Sequence, residues 1–151
     1  MTTKIRKLPF TCLAISIFRL LTGKLRLSKQ FMGRTVEMGK NSNYQIFRHV
    51  TNKHVDSDNK SANFIVSFKF SKLSHKANKL ASIIPMLLIT GNPGFQKKMY
   101  AMNKEKGYWQ GMYQWKSQKH LDDYLNSFVY KMKNKRAIKE NISSRKYDDQ
   151  L

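Results

Sequence analysis

Between Pro93 and Ser127 the chain reads PGFQKKMYAMNKEKGYWQGMYQWKSQKHLDDYLNS, and this stretch decides the fold. The turn formers Gly91-Asn92-Pro93-Gly94 lead into a β-prone run from Phe95 to Asn103. Lys104-Glu105-Lys106-Gly107 has the composition of a hairpin turn. From Tyr108 to Trp115 the residues alternate: Trp109, Gly111, Tyr113 and Trp115 on one side, Tyr108, Gln110, Met112 and Gln114 on the other. Ser117 stands where a helix cap belongs, and Leu121, Tyr124, Leu125, Phe128 and Met132 follow at helical spacing.

Upstream, Phe64 to Phe70 alternates as a strand, with Phe64, Val66, Phe68 and Phe70 on one face. Ser74 can cap a helix whose apolar stripe is Ala77, Leu80, Ala81 and Ile84, which Pro85 kinks or ends. A last strand is predicted from Ile138 to Ser144, with a frayed tail over 146–151. The order is βαββαβ, so residues 62–145 are predicted to form an α+β domain of ferredoxin-like type.

Before it, residues 31–61 suggest a short β-hairpin, Arg34 to Met38 with Tyr44 to Thr51, then a polar loop. Residues 1–30 form a basic, apolar arm. Up to residue 35 the chain carries eight Lys or Arg and no acid. Leu8 to Leu21 is strongly apolar but is interrupted by Arg19, and is too short to span a bilayer, which takes about 20 residues. No small-x-small cleavage site follows it. At helical spacing Phe10, Leu13, Ala14, Ile17 and Leu21 share a face opposite Cys12, Ser16 and Arg19. Such a helix either packs its apolar side on the domain or a partner subunit, or lies on an anionic membrane surface with Lys24, Arg26 and Lys29 beside it.

Across 151 residues, 29 Lys+Arg stand against 9 Asp+Glu, a net charge of +20 that favours anionic partners. The single cysteine, Cys12, excludes an internal disulfide and fits a reducing cytoplasm, with peripheral placement at the inner face of the membrane if the arm binds lipid. The histidines, His49, His54, His75 and His120, offer no pair at metal-binding helical spacing, so no metal is expected.

Pro93-Gly94-Phe95 opening the middle strand, with Trp115-Lys116-Ser117 leading into Tyr124-Leu125-Asn126-Ser127, resembles the dimeric α/β-barrel superfamily of antibiotic-biosynthesis-type monooxygenases. The resemblance covers about residues 62–145 and implies a homodimer, a pocket between sheet and helices, and oxygen chemistry without a cofactor. The haem-degrading branch is not matched. Its strand asparagine has no counterpart between Phe64 and Phe70, its helix tryptophan falls at Tyr124, and its histidine at Asn134.

The function expected is therefore binding of a small hydrophobic or aromatic molecule, with cofactor-independent monooxygenase activity as its extension. His49 and Tyr113 are the candidates for proton transfer. Arg48, Ser67, Lys69, Tyr100, Gln110, Gln114, Trp115 and Tyr124 are the candidate pocket residues. The alternatives are a membrane-peripheral ligand-sensing or scaffold subunit, and an RNA-binding module, since the RRM shares this topology. Nucleic acid is the weaker expectation: Lys106-Gly107-Tyr108 begins an RRM third-strand signature that Trp109 and Gln110 break.

Overall fold

A computed structural model describes residues 8–37, 43–53, 61–70, 74–136 and 143–147. A helix, α1 (Pro9–Leu21), precedes three strands, β1 (Leu25–Ser28), β2 (Thr35–Glu37) and β3 (Asn43–Asn52). There follow β4 (Ala62–Phe68), α2 (His75–Ala81), α3 (Ile83–Thr90), β5 (Phe95–Asn103) and β6 (Tyr108–Trp115). The chain continues through α4 (Gln118–Leu125) and α5 (Phe128–Arg136) to β7 (Ser143–Tyr147).

The strands form one antiparallel sheet in the order β1-β3-β5-β6-β4-β7, with β2 also paired to β3. Within it, β7-β4-β6-β5 is the ferredoxin-like arrangement, each edge reached by a helical crossover. The fold is α+β and ferredoxin-like. Strands from the N-terminal third extend its sheet, because β3 pairs along β5 from Gln45↔Met102 to Thr51↔Lys97. That ladder contains a bulge, where Phe47 and Arg48 together stand opposite Tyr100.

Alternation assigns the two faces. Phe64, Val66 and Phe68 of β4, Tyr100 and Met102 of β5, and Trp109, Tyr113 and Trp115 of β6 join Ile89, Leu121, Tyr124 and Val129 of the helices in the main core. The opposite face, helix-free among the described residues, carries a smaller cluster of Tyr44, Ile46, Ile65, Met99, Ala101 and Met112, with Phe31 and Val36 packed on it.

Three boundaries and one helix cap differ from the sequence expectation. The segment read as one helix before Pro85 is two, because the break falls at Ser82 and puts Pro85 in the first turn of α3, where its missing N–H is not needed. Ser117 occupies the cap position, but its hydroxyl lies 2.8 Å from His120 Nδ1 and does not bond the α4 backbone. The helix after it breaks at Asn126–Ser127, where Ser127 Oγ accepts from the Tyr130 N–H, so Val129 turns inward and Phe128 is exposed. The last strand starts at Ser143, with Tyr147↔Asn63 in register, so Lys146 and Tyr147 are paired and not frayed. Residues 137–142 and 148–151 lie outside the described residues.

The N-terminal arm packs the other way round. Cys12 and Ser16, expected on the outward side, are buried against α3. Ser16 Oγ donates to the Leu87 carbonyl and lies 2.8 Å from Thr90 Oγ1, while Arg19 Nη1 donates to the Thr90 carbonyl at 2.7 Å. A cation at that carbonyl also meets the negative end of the α3 dipole. Gly91 permits the approach, since a Cβ there would collide with the Cys12 carbonyl.

Candidate functional site

On the helix side of the sheet, β5 and β6 face α3 and α5 across a mostly apolar cleft lined by Phe70, Pro85, Trp109 and Met132. Its polar features are Lys98, Tyr100, Tyr113 and Ser82. Strand alternation puts Lys98 and Tyr100 side by side on β5, and Lys98↔Tyr113 register brings a second ring beside them. The Lys98 ammonium sits 3.9 Å from the Tyr100 ring centroid and 4.3 Å from that of Tyr113, at 3% exposure. Gly111 makes room for this, because a Cβ there would lie 2.7 Å from Tyr113 Cε2.

The open space measures about 40 Å³, room for a water-sized group. A larger ligand must displace side chains at the mouth, where Phe70, Pro85 and Met132 are only partly buried.

Burial raises the hydroxyls of Tyr100 and Tyr113 well above the ordinary tyrosine value. Both are therefore phenols at neutral pH, able to donate a hydrogen bond but unable to act as a base. Tyr100 Oη is buried without a hydrogen-bond partner among the described residues. Arg48 borders the group: its guanidinium lies 5.4 Å from the Tyr100 ring and donates to Ser82 Oγ at 2.7 Å and to the Lys79 carbonyl at 3.1 Å. Burial lowers its pKa. It thereby ties the bulge of β3 to the break between α2 and α3.

The expected site residues divide between two faces. Tyr113, Tyr100, Arg48, Trp115 and Tyr124 lie on the helix side, with Tyr124 behind Tyr113 at 5.5 Å and stacked on Trp115. Ser67, Lys69, Gln110, Gln114 and His49 belong to the other. Gln110 borders the cleft along its strand, but its amide donates to Ser67 Oγ at 3.2 Å on the helix-free face. Gln114 donates to Ser61 Oγ at 3.1 Å, and the Lys69 ammonium stands 4.5 Å from the Tyr108 ring.

His49 is opposite Met99 and packs edge-on against Phe31 with centroids 5.1 Å apart, so the sheet separates it from Tyr113. The bulge at Phe47–Arg48 sets this, since it puts two successive residues on the helix side and turns the next one away. Burial, then the charge of Lys97, lowers the His49 pKa. His49 and Tyr113 do not form one site. Lys98 is a cleft residue absent from the candidate pocket residues named from the sequence; its signal was the position two before Tyr100 on the same strand face.

No family model and no curated protein matches the chain. Solved structures with a similar arrangement include a "putative monooxygenase" from Lactobacillus acidophilus NCFM, with a TM-score of 0.46 and 12% identity over 64% of this chain and 50% of that one. An anthrone oxidase-like protein aligns with a TM-score of 0.44 and 12% identity over 70% of this chain and 51% of that one. The chain spans about half the length of each.

Proposed function

We propose that the chain binds a small aromatic or hydrophobic molecule in the cleft between its sheet and α3/α5, with a phenol or enol oxygen beside Lys98. The observation that supports this reading is the buried ammonium over two tyrosine rings in an otherwise apolar cleft. A cation held by ring faces and ringed by apolar walls stabilises an anion more strongly than it would in water. Tyr100 Oη, buried and unpartnered among the described residues, is a second group able to bond such an oxygen.

Monooxygenase-like turnover is the catalytic extension of this reading. It requires dioxygen as the oxidant and a substrate acidic enough to enter the cleft as its enolate or phenolate, its proton already given up to solvent, so that Lys98 would hold the anion. Tyr113, kept protonated, serves there as a donor and not as the base. The homodimer belongs to the proposal through the family resemblance alone, because Ile65, Met99 and Met112 of the helix-free face are already buried within one chain. An RNA-binding reading lacks support: the aromatics of β4 and β6 other than Tyr108 point to the helices, leaving no stacking platform on the outer face of these strands.

The test is titration with 2-naphthol, reading quenching of Trp109 at the cleft wall, together with oxygen uptake by the loaded protein. Saturable quenching that K98M weakens supports the reading. No quenching, or quenching indifferent to Lys98, removes it. Light scattering of the same sample reads the oligomer.

A further inference from the structure

The fold holds α1 with its apolar residues outward. Phe10, Ile17, Phe18 and Leu21 are 86%, 44%, 59% and 82% exposed, and Ala14 lies exposed among them. Positions 10, 14, 17, 18 and 21 make one stripe along the helix, where a solvated helix carries polar residues. The stripe is not waiting for this chain's own core. The opposite side is fixed to α3 by the contacts of Ser16 with Leu87 and Thr90, by the bond from Arg19 to the Thr90 carbonyl, and by the close seat of Cys12 on Gly91.

A basic rim adjoins the stripe. The Lys24 ammonium stands 6.0 Å from the Phe18 ring centroid, and Arg26 and Lys29 beyond it are exposed. No carboxylate occurs in the sequence before Glu37. A second copy docked on this face would bring two rims of like sign together, with no carboxylate on α1 or β1 to offset them. An anionic lipid surface matches both halves: acyl chains receive the apolar stripe and headgroups receive the rim. With 13 residues, α1 is about 20 Å long against a hydrocarbon core of about 30 Å. None of the described helices is long and apolar enough to cross a membrane, so the geometry is that of a helix lying in the interface.

We propose that α1 docks the chain on an anionic lipid surface, with Phe10, Ile17, Phe18 and Leu21 inserted below the headgroups and Lys24, Arg26 and Lys29 among them. This stands apart from the cleft and does not depend on what the cleft binds.

The experiment is co-sedimentation of the full chain with vesicles of phosphatidylcholine alone and of phosphatidylcholine with one third phosphatidylglycerol. The anionic vesicles should bind at least about tenfold more tightly. F10S/F18S should lose at least about tenfold of that affinity, and K24E/R26E a similar amount, with circular dichroism and thermal midpoint unchanged because all four side chains are exposed. K104E/K106E reverses as many charges at the opposite end of the sheet and should change binding by less than about threefold. Absence of binding to the anionic vesicles overturns the proposal. So does wild-type binding by F10S/F18S, or a loss with K104E/K106E as large as with K24E/R26E, since unspecific charge would then account for it. A wild-type dimer that F10S/F18S converts to monomer overturns it in favour of a second copy on the stripe.

Discussion

Trp115 at the end of β6 and Tyr124 in α4 are stacked, with ring centroids 4.8 Å apart and planes 24° from parallel. The contact joins sheet to helices at the place where both rings are essentially without solvent. Trp115→Ala should therefore destabilise the fold by about 3–5 kcal/mol, measured by urea unfolding. Trp115→Phe should cost less than half as much, because it keeps the stack and removes an indole N–H that has no hydrogen-bond partner among the described residues.

Lys98→Met tests the cleft without hollowing it, since the side chain keeps its length and loses its charge. Affinity for 2-naphthol should fall by about 1–2 kcal/mol, the range of a desolvated cation acting on a ring or an oxygen. The unfolding midpoint should move little, because loss of the contacts with Tyr100 and Tyr113 is offset by release from burying an ammonium. An equal affinity in both proteins would take Lys98 out of the site.

His49 supplies a pH dependence whose sign follows from its burial. Its folded pKa lies below the ordinary 6.5, so the unfolded chain takes up the proton first as the pH falls. The stability linked to this ring is complete above about pH 6.5 and is lost as the pH drops toward the lower folded value. Urea midpoints near neutrality and at about pH 5 should differ less in His49→Leu than in the wild type. The cleft ligand should bind both proteins alike, because the sheet lies between.

Gly91→Ala addresses the seat of α1. Its methyl group would meet the Cys12 carbonyl, and the backbone there has little freedom to yield. The cost should be about 1–3 kcal/mol, with α1 becoming the first site of limited proteolysis. Binding of 2-naphthol should persist once the variant is folded, since Cys12 and Gly91 do not line the cleft.

The strands of the ferredoxin-like unit were legible because their alternation is clean. Phe95–Asn103 and Tyr108–Trp115 are found with the bounds the sequence suggests. The site was less legible, for two physical reasons. Bulges at Phe47–Arg48 and between Phe95 and Lys97 interrupt the alternation, so counting along β3 or β5 assigns the wrong face to residues beyond them. This is how Tyr100 came to be grouped with Ser67, Gln110 and Gln114, from which the sheet separates it. The orientation of α1 was hidden differently. Hydrophobicity points Phe10 and Ile17 inward, whereas close approach at Gly91 and the hydroxyls of Ser16 and Thr90 select the opposite side. Periodicity detects a face but does not say which of two faces a neighbour can reach.

The bulge in β3 also separates the strand into two halves whose pairing with β5 is set independently, Gln45 and Ile46 on one side and His49 to Thr51 on the other. Removing either Phe47 or Arg48 would leave one residue opposite Tyr100 and restore an ordinary ladder, with all those pairs intact. This strand can therefore change length by one residue without turning a single other side chain over. Along a descending lineage, a deletion that would scramble most strands would here be confined to a single position.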